Sequence, residues 1–378
     1  CNQFEKWNNK MQNKILKLSF LLVFTFIGCK AQNKNVDLSE KLTSKATELI
    51  DELCEDDRFS GTIIVAKKDS VLYQFACGEA SKRFHIKNNI DTKFNLGSNN
   101  KMFTGIAIMQ LQEKGMLNLN DTIDKYIDSS WIPKKIGSQI TIHHLLTHTS
   151  GLGDFFNSDF ENGSKELFRN IEDFKPLIKT ESLYFKPGSN TQYSNTGMLL
   201  LGVIIEKVSK ISYFDYIAEN IYKTSGMTNS DCYEMDKPIE NLAIGYYKPE
   251  SENEWRNNLY KHVIKGGPSG GGFSTVRDLH KFGQAILENR LISKSSMDIL
   301  SKIHQKLDGP AFDNYGYGYG FVTVKKKNNK MIGHLGGFTG ISSGFFISLE
   351  NEHMVCVLSN YEAVGIQITL ELSKLIIE

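Results

Sequence analysis

A serine and a lysine three positions apart are the first residues that can do chemistry. Residues 94–101 read FNLGSNNK, and the apolar pattern after them predicts a helix from about 98 to 114, ended by Gly115. At this spacing the Lys101 amine lies on the same face as the Ser98 hydroxyl. A lysine whose pKa is lowered by burial can take the serine's proton, and the unpaired first-turn N–H of Ser98 can face an oxyanion. Ser-x-x-Lys also occurs by chance, so the pair alone establishes nothing.

A tyrosine and an asparagine form a second polar group. Tyr193 and Asn195 follow the turn Pro187-Gly188 and precede the apolar run Met198–Val208, which predicts a helix. Alternate residues at such a junction can face one cleft. The tyrosine can carry a proton as phenol or phenolate, and the asparagine can bind a substrate amide. Taken alone, the tyrosine could equally be packed at a helix start.

The third group is a glycine-rich stretch, HLGG, at 334–337 in a predicted strand. Gly336 and Gly337 would let a substrate backbone approach closely. The N–H of Gly337 can complete an oxyanion hole with that of Ser98, and His334 can help to orient the substrate. A strand end closing a turn is the alternative for this stretch alone.

These residues need a scaffold, and the chain predicts strands near both ends with helices between them. This pattern predicts one sheet assembled from distant segments and a mainly helical subdomain over about 98–265. A cleft between the two is the natural place for a site. The predicted elements are an amphipathic helix over 38–54, a hairpin of Gly61–Ala66 and Val71–Cys77, strands at Tyr319–Val324, Met331–Leu335, Gly344–Leu349 and Met354–Leu358, and a final helix over 364–377.

In order and separation, the three groups resemble the motifs of the serine β-lactamase and penicillin-binding protein superfamily. The Tyr-x-Asn triplet is similar to the class C branch, which includes β-lactamases, D-alanyl-D-alanine carboxypeptidases, D-aminopeptidases and esterases. The resemblance covers roughly residues 40–375. It implies an α+β fold, with an antiparallel sheet flanked by N- and C-terminal helices. Other similar stretches are LLTHTSGL at 145–152, PSGGGFST at 268–275 and the segment 212–227.

The resemblance implies acyl transfer through a covalent intermediate on Ser98. Lys101 and Tyr193 would share the general-base role, and the N–H groups of Ser98 and Gly337 would stabilise the oxyanion. We expect a peptidase or esterase type that needs no cofactor. A true class C-like β-lactamase is one alternative. A penicillin-binding or sensory module that acylates without turnover is another.

His334 stands where the third motif often has a lysine. A histidine with an ordinary pKa of about 6.5 is largely neutral at pH 7, so it holds a substrate carboxylate poorly. The sequence therefore predicts poor turnover of β-lactams. It also predicts that carboxylate-bearing substrates are used better as the pH falls towards about 6, where histidine gains charge. Arg277 is a distant residue that could supply the missing charge.

Three histidines raise the question of a metal site. His144 and His148 are four apart, as metal ligands on one helix face can be. No glutamate lies between them, and the run that begins at His143 ends in the turn 149–151. We therefore expect a structural turn near the cleft and no metal.

Four cysteines follow the N-terminal segment, and they fit neither a CxxC pair nor a zinc pattern. Three pairings are possible among them, and the sequence does not choose. Because Cys77 and Cys356 lie in apolar, strand-like runs, buried free thiols are expected. The four are Cys54, Cys77, Cys232 and Cys356.

The N-terminal segment predicts export. We expect translation to start at Met11, with residues 1–10 an overrun. A basic flank and the short apolar run Leu18–Ile27, below the roughly 20 residues that span a bilayer, are typical of a signal peptide over 11–31. A linker over 32–37 and a hydrolase domain over 38–378 follow.

Two processing routes are open for this segment. Gly28-Cys29 is similar to a lipobox in which Cys29 is lipidated, although Phe26 replaces the usual leucine. Cleavage after Ala31 is the alternative. The favoured prediction is a protein of the bacterial cell envelope or periplasm, lipid-anchored through Cys29.

The charge balance of the chain gives no reason to propose nucleic acid or a membrane surface as a partner. The chain has 378 residues, with 44 basic and 43 acidic residues and a formal net charge of +1. No global field favours nucleic acid or an anionic membrane surface. The expected partner is a small-molecule or peptide substrate, with membrane contact only through the anchor. The oligomeric state stays open.

Overall fold

The structure is a computed structural model that describes residues 37–178, 182–252, 254–308 and 311–378. Residues 1–10, the predicted signal peptide with Cys29, and the linker as far as residue 36 lie outside the described residues.

A single eight-stranded sheet organises the fold, and all of its neighbouring strands are antiparallel. Its order is β2-β1-β14-β13-β12-β11-β10-β9, so the first strands of the chain lie beside the last. The prediction of one antiparallel sheet built from distant segments is confirmed. The sheet strands are β1 (Gly61–Lys67), β2 (Ser70–Cys77), β9 (Gln305–Lys306), β10 (Tyr315–Tyr317), β11 (Val322–Lys326), β12 (Asn329–Phe338), β13 (Ile341–Ser348) and β14 (His353–Ser359).

Helices flank the sheet, and most of them lie in the chain between β2 and β9. Among the described residues, no helix combines the length and apolar character needed to cross a bilayer. The α-helices are α1 (Leu38–Glu55), α2 (Asn100–Glu113), α3 (Lys134–Gly137), α4 (Ile142–Leu146), α5 (Ser158–Asn162), α6 (Asn195–Ser209), α7 (Tyr213–Ile217), α8 (Lys223–Ser225), α9 (Val276–Leu287), α10 (Lys294–Leu300) and α11 (Val364–Ile377).

Short elements complete the architecture. The pairs β3–β4, β5–β8 and β6–β7 form small two-stranded sheets. Single 3₁₀ turns and a π-helical turn join the helices. These elements are β3 (Glu79–Ser81), β4 (Ile86–Lys87), β5 (Phe94–Asn95), β6 (Tyr246–Tyr247), β7 (Arg256–Asn257), β8 (Phe273–Ser274), 3₁₀ turns Gly97–Asn99, Ile123–Lys125, Lys165–Leu167 and Ile171–Leu177, and the π turn Ala218–Tyr222.

The central strands are buried on both faces, which explains their continuous apolar runs. Side chains alternate across a strand. In β1, Ile63 and Val65 therefore join the apolar cluster of α1 and α11, whereas Ile64 and Ala66 join the cluster of α2 and α9. The predicted N- and C-terminal helices lie together on one face, and the helices between the strands lie on the other.

One predicted strand begins later than expected. Residues from Tyr319 to Phe321 form a tight turn, in which Gly318 N–H donates to the Phe321 carbonyl and Gly320 has φ +73°. A Cβ on Gly320 would lie 2.3 Å from the Lys101 carbonyl oxygen. The glycines thus bend the chain around α2, and the strand starts only at Val322.

The expectation of four free thiols is wrong for one pair. Cys54 and Cys77 form a disulfide with a Cα–Cα distance of 6.2 Å. The cause is tertiary, because α1 and β2 pack together and the ends of both elements meet. Cys232 and Cys356 are free and buried, as expected.

Candidate active site

Ser98 lies in the 3₁₀ turn just before α2, pressed against β12. Gly97 has φ +50°, and a Cβ there would lie 3.0 Å from the Gly337 nitrogen. A Cβ on Gly336 would lie 2.1 Å from the Leu96 carbonyl oxygen and 3.0 Å from the Ser98 nitrogen. Only glycines allow this approach. The predicted first helical turn is therefore a 3₁₀ turn, and half-buried Ser98 stays reachable.

The edge of β12 that faces Ser98 carries backbone N–H and C=O groups that are not paired with β13. Phe338 pairs with Ile341 across a two-residue turn, and Gly337 pairs with Ser342. Residues flanking such a turn exchange their hydrogen bonds, so Gly337 directs its N–H and C=O to the opposite edge. The predicted oxyanion donors, the N–H groups of Ser98 and Gly337, thus belong to segments in contact.

Lys101 is fully buried and surrounded by oxygen atoms. Its Nζ lies 3.0 Å from Ser98 Oγ and 2.8 Å from Asn195 Oδ1, and it also donates to the Ser269 carbonyl. Burial lowers the pKa of Lys101 to about 7, although the negative charge of Asp154 opposes the shift. A substantial fraction of Lys101 is therefore neutral near pH 7.

The surroundings of Lys101 also set the direction of its lone pair. A neutral amine has two N–H donors and one lone pair. Asn195 Oδ1 and the Ser269 carbonyl can only accept, so they take the two N–H groups. The lone pair then faces the Ser98 hydroxyl, which is the arrangement of a general base.

Tyr193 contacts the same serine from another side. Its hydroxyl donates to Ser98 Oγ over 2.9 Å, and its ring centroid lies 4.8 Å from Lys101 Nζ. Burial raises the pKa of Tyr193 far above its usual value, so the side chain is a phenol at neutral pH. The two pKa shifts favour Lys101 as the base and Tyr193 as a proton donor, rather than a base role shared by both.

Asn195 is the first residue of α6, and both ends of its amide are occupied. Oδ1 accepts from Lys101, while Nδ2 donates to Asp154 Oδ2 over 2.9 Å. In this structure Asn195 therefore orients Lys101. Sequence reasoning expected it to bind substrate and missed both Asp154 and the Ser269 carbonyl. The only signal was their position in the sequence: Ser269 lies inside the similar stretch 268–275, and Asp154 lies two residues after the similar stretch 145–152.

His334 is buried in β12 next to Tyr317. Its Nδ1 lies 2.6 Å from the Leu335 carbonyl, which can only accept, so Nδ1 carries the hydrogen and Nε2 accepts from the Tyr317 hydroxyl. Burial lowers the pKa of His334 to about 3, with a further contribution from Lys101. The expectation that His334 gains charge near pH 6 is therefore wrong, because burial opposes its protonation.

The end of α4 at Leu146 separates His148 from His143 and His144. His148 has φ +57°, its ring lies 4.5 Å from that of Tyr193, and its Nδ1 accepts from the Ser194 N–H. His143 instead bonds the Tyr319 hydroxyl over 2.8 Å. Within the described ranges no cluster of three or more His, Cys, Asp or Glu side chains is placed to hold a metal.

Arg277 does not stand free as a replacement cation. It lies on α9 and its Nη1 pairs with Asp91 Oδ1 over 3.1 Å at the surface. Lys101, whose Nζ lies 3.0 Å from Ser98 Oγ, is the group in contact with Ser98 that can carry a positive charge in the part of the chain that the structure describes.

Comparisons with known proteins show the family to which the chain belongs. The Beta-lactamase family model matches residues 46–365. Penicillin-binding protein 4* of Bacillus subtilis (strain 168) is 32% identical over 329 residues, which are 83% of this chain and 71% of that protein. A penicillin-binding protein structure from Bacillus halodurans has a TM-score of 0.79 at 28% identity, covering 87% of this chain and 98% of that one.

A more distant structure shows the fold alone. D-amino acid amidase from Ochrobactrum anthropi SV3 has a TM-score of 0.75 at 20% identity, covering 88% of this chain and 99% of that one. The family match spans most of the chain, and the described strands and helices form the matching α+β arrangement. The chain therefore belongs to the Beta-lactamase family and has its serine hydrolase fold.

Proposed function

We propose that this protein hydrolyses an amide or ester through an acyl-enzyme on Ser98, as a peptidase- or esterase-type member of its family. One observation carries the proposal. A buried lysine with a pKa of about 7 lies 3.0 Å from the serine hydroxyl, and its two other contacts are acceptors. That combination makes a weak nucleophile reactive at neutral pH.

Acylation begins when Ser98 Oγ attacks the substrate carbonyl carbon and its proton passes to Lys101 Nζ. The carbonyl oxygen becomes an oxyanion and receives the N–H groups of Ser98 and Gly337. The bond to the leaving group then breaks as Tyr193 protonates the departing nitrogen or oxygen. The proton held on Lys101 restores the phenol, so the net proton transferred is the one that Ser98 lost.

Deacylation repeats these steps with water. Water attacks the ester carbon and gives a proton to Lys101, and the same two N–H groups receive the oxyanion. The bond to Ser98 Oγ breaks, and Oγ takes the proton back. No step requires a cofactor.

Neutral substrates fit the site better than β-lactams. His334 is neutral and Arg277 is paired at the surface, so neither offers a fixed charge to a carboxylate beside the scissile bond.

The relative named Penicillin-binding protein 4* favours a second candidate, a penicillin-binding module that acylates without turnover. A true β-lactamase is the third possibility.

We also propose that the protein is exported to the cell envelope and anchored through Cys29. The Cys54–Cys77 disulfide supports export, since such bonds persist in oxidising compartments. Metabolic palmitate labelling lost in Cys29→Ser would support the anchor. A mature N-terminus at Gln32 would instead indicate soluble secretion.

The catalytic proposal is tested by following the Ser98 adduct over time by mass spectrometry. The substrates are p-nitrophenyl butyrate, D-phenylalanine amide, a cephalosporin and a fluorescent penicillin, with Ser98→Ala as the control. Ester or amide turnover through a transient Ser98 adduct supports a hydrolase. A lasting penicilloyl adduct indicates a binding module, and efficient cephalosporin turnover indicates a β-lactamase. Equal turnover in Ser98→Ala contradicts the whole assignment.

A further inference from the structure

Asp154 is a half-buried carboxylate whose oxygens are both engaged. It lies in the turn between α4 and α5. Its Oδ2 accepts from the backbone N–H and the side-chain amide of Asn195, over 2.8 and 2.9 Å, and its Oδ1 accepts from the Phe156 N–H over 3.1 Å. The carboxylate therefore binds the first N–H of α6 and one end of the Asn195 side chain at once.

The carboxylate decides which way the Asn195 amide points. An ionised carboxylate only accepts hydrogen bonds, so the NH₂ end of the amide must face Asp154. Oδ1 then faces Lys101, at 2.8 Å from Nζ. The opposite orientation would bring the amide oxygen of Asn195 against Asp154 Oδ2.

The orientation of the amide determines where the Lys101 lone pair points. With Oδ1 in place, Asn195 and the Ser269 carbonyl absorb both N–H groups of the neutral amine, and the lone pair faces Ser98. With the amide reversed, its NH₂ end would attract the lone pair away from Ser98.

We propose that Asp154 is a positioning residue of the acylation step, whose carboxylate locks Asn195 in the orientation that turns the Lys101 lone pair onto Ser98. The inference rests on the proposed function, because it concerns the same serine and base.

Asp154 also acts on Lys101 through its charge. The titratable groups that face Lys101 are Asp154, Tyr193, His148 and His334. Burial keeps the phenol and both imidazoles neutral near pH 7. Burial raises the pKa of Asp154 itself, whereas the hydrogen bonds from Asn195 and Phe156 and the charge of Lys101 favour its ionised form. Ionised Asp154 is the charged neighbour, and its charge raises the pKa of Lys101 against the effect of burial. Removing that charge lowers the pKa of Lys101.

Another hydrogen-bonded carboxylate, the fully buried Asp278, offers a control. Asp278, at the start of α9, accepts from the Asn229 N–H over 2.6 Å and from the Ser230 hydroxyl over 2.9 Å, and it pairs with Lys281. Its hydrogen bonds are as numerous as those of Asp154, but none leads to Ser98 or Lys101. Asp278→Asn reports what the loss of a structural carboxylate does by itself.

The experiment measures the rate at which a fluorophosphonate probe modifies Ser98 as a function of pH. In this reaction the Oγ–P bond forms, fluoride leaves and the serine proton passes to Lys101, so the rate reports how well Ser98 is activated as a nucleophile without requiring a known substrate. Wild type, Asp154→Asn, Asp278→Asn and Asn195→Ala are compared in the full chain, with folding checked by circular dichroism.

We expect wild type to lose rate below the pKa of Lys101, about 7. In Asp154→Asn an NH₂ group replaces one of the two acceptor oxygens and the charge is lost, so the hold on the Asn195 amide weakens. We expect the plateau to fall by up to about 10²-fold, the cost of misplacing a reacting group, and the inflection to move to lower pH. Folded Asp278→Asn should keep both values. Asn195→Ala should lower the plateau, and adding Asp154→Asn to it should lower the plateau little further.

An unchanged plateau and inflection in Asp154→Asn would overturn the inference while leaving the proposed function standing. If Asp154→Asn does not fold, a wild-type plateau in Asn195→Ala would overturn it equally. Absence of Ser98 labelling in wild type would instead overturn the proposed function, and the inference with it.

Discussion

Two regions of this molecule use burial in opposite ways. The layer formed by α1, β1, β14 and α11 buries aliphatic side chains such as Leu42, Val65 and Leu372, and a disulfide fastens its edge. The site beside it buries an amine and an imidazole. Among the described residues His148 Nε2 finds no hydrogen-bond partner, and the backbone there has φ +57°.

The difference separates stability from activity. Burying a charged or unpaired polar group costs free energy, as does a non-glycine residue at positive φ. Apolar burial in the helix–sheet layer offsets that cost. Substitutions in the site should therefore change rates more than stability, and substitutions in the layer should do the reverse.

Among substitutions in the site, Ser98→Ala should show the largest loss of rate without a loss of stability. We expect hydrolysis to fall by 10³-fold or more, on the order found when a nucleophile is removed, with an unchanged free energy of unfolding. Ester turnover and urea denaturation measure the two quantities. A folded variant with near-wild-type turnover would remove Ser98 from the mechanism.

Lys101→Ala and Tyr193→Phe should each reduce kcat by roughly 10² to 10³-fold, and the double variant should be little worse than either. The reason is that groups on one proton path act as a unit. The comparison is a double-mutant cycle on kcat for a neutral ester. Fully multiplicative losses would assign the two residues to separate steps.

Removing the disulfide tests whether a change in the helix–sheet layer lowers stability without lowering the rate. Cys54→Ala/Cys77→Ala should lower the free energy of unfolding by about 3 kcal/mol, the value for a loop of this size, because 23 positions separate the cysteines. The kcat of this double variant at about 25 °C should equal that of wild type. Reductant should destabilise wild type and leave the variant unaffected. Equal loss of kcat would mean that the regions are coupled.

His334 should show the smallest effect. Because its pKa is lowered to about 3, the ratio of cephalosporin to neutral-ester kcat/KM should stay flat between about pH 8 and 5.5, whereas an unperturbed histidine would gain charge there. Protonation of Lys101 affects both substrates and cancels. His334→Lys should raise the ratio about 10-fold, as one charged hydrogen bond would. A wild-type ratio that rises as the pH falls would contradict a neutral His334.

Local patterns predicted much of this structure. The helix over 364–377 and the hairpin of β1 and β2 are found as expected, because their apolar periods are set by the elements they pack against. The same holds for the spacing of Ser98 and Lys101, which one helical turn brings into contact.

What the sequence could not predict depends on tertiary proximity. The distance between Asp154 and Asn195 along the sequence does not indicate that they are in contact. They meet because a turn packs against the start of α6. The neutral state of His334 depends on burial and on Tyr317 from β10, and the pairing of Cys54 depends on where β2 ends. In each case the partner comes from another element, beyond the reach of local periodicity.

The neighbouring positions of β1 and β14 also bear on the order of events during synthesis. Ser359 Oγ donates to the Ser60 carbonyl, 299 positions earlier in the chain. The hairpin of β1 and β2 leaves the ribosome first and is marginal without a third strand. Gly337 of β12 emerges long after Ser98. The proposed site includes this glycine, so no nascent fragment that ends before it can assemble that site. We therefore expect Ser98 of the newborn chain to stay unreactive until the last strands have been synthesised.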